Sequence, residues 1–88
     1  MNTSFLLMAQ YDGLAVIPVE WVCRDYFRHL TVEKFLRKVL ASEIELPIVR
    51  MEGSQKTAKG VHVTDLAAYL DKQAAAARRE CEQLKRSA

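Results

Sequence analysis

From Asp65 to about Arg86 the chain contains neither glycine nor proline, and the stretch includes the tetrad Ala74-Ala75-Ala76-Ala77. Alanine is the best helix former, and Gly and Pro are the strongest breakers, so this segment is committed to one long helix with Thr64 as its expected cap. Some 20 helical residues extend about 30 Å, more than the small remaining body can cover. Leu66, Leu70, Ala74, Ala77, Cys81 and Leu84 recur along it at spacings of 4, 4, 3, 4 and 3, which places them in one stripe. The far half of the stripe is expected to pack on a second chain as a parallel or antiparallel pair, giving a homodimer or higher homo-oligomer with Cys81 near its counterpart. The competing expectation is a helix that frays after Gln73.

The other residues must supply the body. With 88 residues, 50% hydrophobic and 27% charged, the chain is one small folded domain with a thin core. Its apolar runs, such as Phe5-Leu6-Leu7-Met8-Ala9, are too short to cross a membrane. The start Met1-Asn2-Thr3-Ser4 lacks the basic region of a signal peptide, so a cytoplasmic, nucleoid-associated protein is expected. Cys23 and Cys81 stand alone in sequence and are expected to be reduced and structural.

Ser4 or Thr3 can cap a helix through Phe5–Tyr11, with Gly13 as its stop; the rival is a hairpin turning at Asp12-Gly13. Ala15–Ile17 reads as a short strand. Pro18 suits the first position of a helix running Val19–Phe27, in which Val19, Val22, Cys23 and Tyr26 share one face. Trp21, Tyr26 and Phe27 read as core. After the turn Arg28-His29-Leu30, Thr31 caps a helix over Val32–Ala41. Its buried stripe is Val32, Phe35, Leu36, Val39 and Leu40, leaving Glu33, Lys34, Arg37 and Lys38 outside. Glu45-Leu46-Pro47 ends it. Strands at Pro47–Met51 and Val61–Val63 flank a polar loop over 52–60.

This order predicts an α+β, mostly α chain: a winged helix-turn-helix over residues 1–64, with a continuous dimerisation helix over 65–88. Charge distribution agrees with that layout. Residues 1–27 carry net −2, residues 28–62 net +3 and residues 63–88 net +1. The positive charge therefore gathers on the second helix and the hairpin. Helix 32–41 would enter the major groove of promoter DNA and present Thr31, Glu33, Lys34, Arg37 and Lys38. Arg37 can grip a guanine edge with two hydrogen bonds, and Glu33 can accept from cytosine or orient Arg37 from four residues away. On the hairpin, Arg50, Ser54, Gln55, Lys56, Thr57 and Lys59 can donate to phosphates, while Gly53 and Gly60 let the backbone approach. The plain alternative is a solvated helix face and a mobile tip bearing chance lysines.

Catalysis finds no support. There is no Ser/His/Asp order, HExxH, Walker loop or Cys/His cluster, and His29 and His62 lack metal-ligand spacing. The expectation is a non-enzyme without cofactor or metal, with His62 an ordinary half-exposed strand residue.

Several stretches carry a closer likeness: FLLMAQYDG at 5–13, AVIPVEWVCRDYF at 15–27, FLRKVLASEIELPIVR at 35–50, SQKTAKGVHV at 54–63 and DLAAYLDKQ at 65–73. On these the chain resembles the pyocin activator protein family, PrtN, over nearly its whole length. The middle segment also resembles phage excisionase-like and MerR-like winged helices. The resemblance implies a small bacterial transcriptional activator of genes for phage-tail-like bacteriocins, acting at promoter DNA with RNA polymerase as a further partner. It does not fix which residue meets which base. Two other readings of the same fold are a protein-binding adaptor or antirepressor, and an architectural excision factor that bends DNA.

Overall fold

The structure, a computed structural model, describes residues 2–54 and 56–87. Its elements are α1 (Thr3–Gln10), β1 (Val16–Pro18), α2 (Val19–Tyr26), α3 (Val32–Leu40), β2 (Val49–Arg50), β3 (Lys59–His62) and α4 (Val63–Ser87). The fold is mixed and mostly helical, with one three-stranded antiparallel sheet ordered β1-β3-β2.

Helix ends follow local chemistry, at several points not the residues the sequence suggested. The cap of α1 is Asn2, whose side chain accepts from Ser4 N at 2.7 Å; Ser4 and Thr3 lie inside the helix. Thr3 instead donates to Asp71 Oδ1 at 2.6 Å, tying α1 to α4. At the other end Asp12 takes the left-handed conformation at φ 54, and Gly13 follows at φ 79. The Gly13 N–H reaches back to Met8 O at 2.8 Å, the six-to-one bond of a Schellman ending. The same ending closes α3. Ser42, at φ 61, lets Ser42 N reach Val39 O at 3.0 Å and Glu43 N reach Lys38 O at 2.9 Å. The chain therefore leaves the helix before Glu45-Leu46-Pro47.

The cap of α4 is His62, not Thr64. Its Nδ1 accepts from Thr64 N at 3.2 Å and lies 2.8 Å from Thr64 Oγ1, so Nδ1 keeps its lone pair and the threonine hydroxyl donates to it. Strand β3 thus passes directly into a 25-residue helix. The other junction is equally abrupt, because Pro18 closes β1 and caps α2. Proline has no N–H to give a ladder, and it sits on an edge strand where none is needed.

The ladder pairs Val16 with His62, Ile17 with Val61 and Pro18 with Gly60 on one side, and Val49 with Gly60 and Arg50 with Lys59 on the other. Strand β2 is shorter than expected, since Pro47 and Ile48 stay outside it. Strand β3 begins earlier than expected, so the hairpin connection is residues 51–58.

Between sheet and helices lies the core. Leu7, Ile17, Val22, Phe35, Val61 and Leu66 are its fully buried side chains. Phe27 packs against Phe35 at 4.9 Å and Tyr69 at 5.8 Å between ring centroids, joining the α2–α3 turn to α4. Phe27 is core as expected, but Trp21 is 39% exposed and lies over Tyr11 at 6.2 Å. Leu40, expected in the buried stripe, is 78% exposed. Cys23 is buried, and burial pushes its thiol pKa up; Cys81 is exposed and so is not a core cysteine.

One polar network fastens α1 to α2. Tyr11 Oη donates to Asp25 Oδ2 at 2.6 Å, and Arg24 grips both Asp25 oxygens at 2.9 and 3.0 Å. Hydrogen bonds from Arg24 and then Tyr11 hold the Asp25 carboxyl down to about 2. Burial, with Asp25 beside it, pushes the Tyr11 phenol well up.

Candidate nucleic-acid interface

Helix α3 presents Glu33, Lys34 and Arg37 to solvent. The cap sets this face: Thr31 Oγ1 accepts from Lys34 N at 3.2 Å, which fixes the first turn. Thr31 itself is exposed, but its hydroxyl lone pair is engaged in that cap. Lys38 is half-buried and leans to Glu43 at 3.5 Å, so its charge turns toward the C-terminal end of the helix. The anticipated Glu33–Arg37 pair is not formed; among the described residues the ion pairs include Arg24–Asp25, Lys38–Glu43 and Lys72–Glu45. Lys34 and Arg37 are exposed and pair with no carboxylate among the described residues.

The hairpin supplies a second group. Arg50 is exposed and stands directly opposite Lys59. Like charges at paired positions of an antiparallel ladder are destabilising. Beyond them Met51 N donates to Ala58 O at 3.3 Å. The tip is then closed by Ser54: its backbone O accepts from Thr57 N at 3.2 Å, and its Oγ from Lys56 N at 3.1 Å. Ser54 is thus a turn-former first. Lys56 is exposed, whereas Thr57 and Lys59 are half-buried. Gln55 lies outside the described residues.

The two glycines differ from expectation. A Cβ on Gly53 would meet nothing within 4 Å, and its φ is an ordinary one; the turn does not need glycine there. Gly60 is demanded by packing. A Cβ there would stand 2.5 Å from Val16 Cγ1 and 2.8 Å from Ile17 O, because β1 crosses tightly on the central strand.

Sequence reasoning passed over Arg28 and His29 as turn residues. Both are exposed immediately before Thr31, beside the N-terminus of α3. Arg28 also donates from Nε to Arg24 O at 3.2 Å, which holds its stem along α2.

On α4 the stripe divides. Leu66 is fully buried in the chain's own core and Leu70 packs against it, so Leu66 has no surface left for a second chain. Ala74 is half-buried, Ala77 and Cys81 are exposed, and Leu84 is 66% exposed. The helix extends past the body, in a molecule measuring 53 × 30 × 18 Å. No helix among the described residues is long and apolar enough to cross a membrane. Among them there is also no group of three His, Cys, Asp or Glu that could hold a metal.

The model of the family described as Pyocin activator protein PrtN matches residues 3–77. No curated protein and no solved structure matches the chain.

Proposed function

The chain belongs to the pyocin activator protein PrtN family, and on that premise we propose that it activates pyocin genes by binding promoter DNA as a winged helix-turn-helix. A family of activators is not a class of enzymes. Helices α2 and α3 are the helix pair, α3 enters the major groove, and the β2–β3 hairpin is the wing that lies on the backbone.

One observation carries the reading. Arg50 and Lys59 face each other across the ladder although the arrangement repels. A bound phosphate between or beside them would turn that repulsion into attraction, because charge-assisted bonds to phosphate are strong. On α3, Lys34 and Arg37 have no carboxylate partner among the described residues, which supports their use on bases or phosphates. Glu33, now unpaired with Arg37, can accept from a cytosine amino group. The DNA-binding unit extends to about residue 64, and α4 continues from it.

Exposed Ala77, Cys81 and Leu84 support the second part of the proposal, pairing of two copies through the outer half of α4. Two copies would double the phosphate contacts and match an operator with two half-sites.

The test is a salt titration of binding to the promoter DNA of a pyocin gene. Affinity should fall steeply with salt, and Lys56→Ala should flatten the slope by about 0.9. Arg37→Ala should instead relax preference at one base position, at a cost of about 1–3 kcal/mol. Binding indifferent to salt would favour the adaptor reading. DNA binding without activation in a promoter-reporter assay would favour the excision-factor reading.

A further inference from the structure

Between the C-terminal half of α3 and the β2–β3 hairpin lies a cavity of about 300 Å³. Its walls are Leu36, Val39, Leu40, Leu46, Pro47 and Ile48. Arg50 and Lys59 stand on its rim, and no carboxylate lines it. At the mouth Leu40 is 78% exposed.

DNA does not suit this groove. Aliphatic side chains offer nothing to a phosphate backbone and would strip water from it at a cost. A second copy of the chain suits it poorly too. The outer face of α1, with Phe5, Leu6 and Met8 exposed, has no acidic residue to meet Arg50, since TSFLLMAQ contains none. Leu84 has Glu80 one turn before it, but the exposed outer half of α4 is the surface already given to the pairing of two copies with each other. Apolar walls with a cationic rim complement an amphipathic acidic helix that places aliphatic anchors in the groove and a carboxylate at the rim, where the five N–H donors of Arg50 can serve it beside a phosphate.

We propose that this groove receives an amphipathic acidic helix of the transcription machinery, so that activation has a surface distinct from the bases read by α3. The inference rests on the activator reading given above. It places the contact beside the DNA-binding elements, where a polymerase bound to the same promoter would reach it.

The experiment uses the full chain and RNA polymerase holoenzyme as the probe, titrated by fluorescence anisotropy without DNA. Promoter-DNA affinity and solution mass are measured in parallel. Leu40 is largely exposed, so Leu40→Gln should fold; Leu40→Met keeps the volume and apolar character. Leu40→Gln is expected to weaken polymerase binding about tenfold and leave promoter affinity within about twofold, while Leu40→Met preserves both. Absent polymerase binding by the parent chain overturns the proposal, as does an unchanged affinity in Leu40→Gln. An equal loss of DNA affinity would assign the groove to the DNA interface, and a change in mass would assign it to a second copy; either overturns it. Leu40-dependent polymerase binding by a chain with no salt-dependent promoter binding would sustain the groove and remove the DNA reading instead.

Discussion

Arg50 and Lys59 are opposed across the last pair of the β2–β3 ladder, with the hairpin connection beginning immediately beyond them. Two cations at a strand pairing weaken the hairpin that carries them, by about 0.2–1 kcal/mol. Stability and binding should therefore respond in opposite directions at this point.

Arg50→Ala should raise the melting temperature slightly, by the few tenths of a kcal/mol that the repulsion costs. The same variant should lose promoter affinity and about 0.9 of its salt slope. Thermal melts and a salt titration on one preparation check both signs. A variant that loses stability and keeps its salt slope would make Arg50 a packing residue.

Gly60→Ala should destabilise the chain by about 1–3 kcal/mol, because its Cβ would collide with Val16 Cγ1 and with the carbonyl of Ile17. Gly53→Ala should be neutral or stabilising by up to about 1 kcal/mol, since that site is open. Denaturant midpoints for the two variants separate a packing glycine from a replaceable one.

Asp25 gives the acid limb of stability a specific origin. Its carboxyl is held at about 2 by Arg24 and Tyr11, below the value it has in the unfolded chain. The group contributes stability above the ordinary carboxylate range and loses it as pH falls from about 4 to about 2. Arg24 is well exposed, so solvent screens the pair and the contribution is on the order of 1 kcal/mol. Asp25→Asn should lower stability at neutral pH and flatten the fall between those values; urea melts across that window measure it.

Truncation after Gln73 should leave a folded body, because the core residues of α4 are Val63, Leu66 and Ala67, all retained. Light scattering should report a monomer, with weaker binding to a two-half-site operator. An unchanged mass would place any self-association elsewhere, with the exposed Phe5–Leu6–Met8 face of α1 the next surface to vary.

Element order was readable because it follows periodicity and breakers. Val19, Val22 and Cys23 on one face of α2 and Phe35 on α3 became core as their spacing required. What misled was the assumption that each element ends at its most conspicuous breaker. Ser42 ends α3 in a left-handed turn that no proline or glycine announces. His62 caps α4 through a ring nitrogen that caps less often than a hydroxyl or carboxylate does. Trp21 reads as core from its sequence but lies partly exposed over Tyr11, with Arg24 5.7 Å from its ring centroid. For the candidate site, charge and position were legible: Lys34, Arg37, Arg50 and Lys56 are exposed. Geometry was not: Lys38 leans to Glu43, and Ser54 is engaged in closing its own turn. Both pairings are local, but they depend on the geometry of the turns that follow α3 and close the hairpin, which spacing along one helix does not encode.

Pro18 is both the last residue of β1 and the cap of α2, and β1 is hydrogen-bonded to the strand that carries one side of the hairpin. No linker separates the sheet from the helix pair. The hairpin stem and α3 are therefore like the two jaws of a caliper, joined through β1, α2 and the turn at which Phe27 packs against Phe35. If the chain binds DNA as proposed, a duplex would have to present its groove and its phosphates at the separation of these two elements. Groove width would then be a quantity the proposed interface measures, alongside any bases that Arg37 would read.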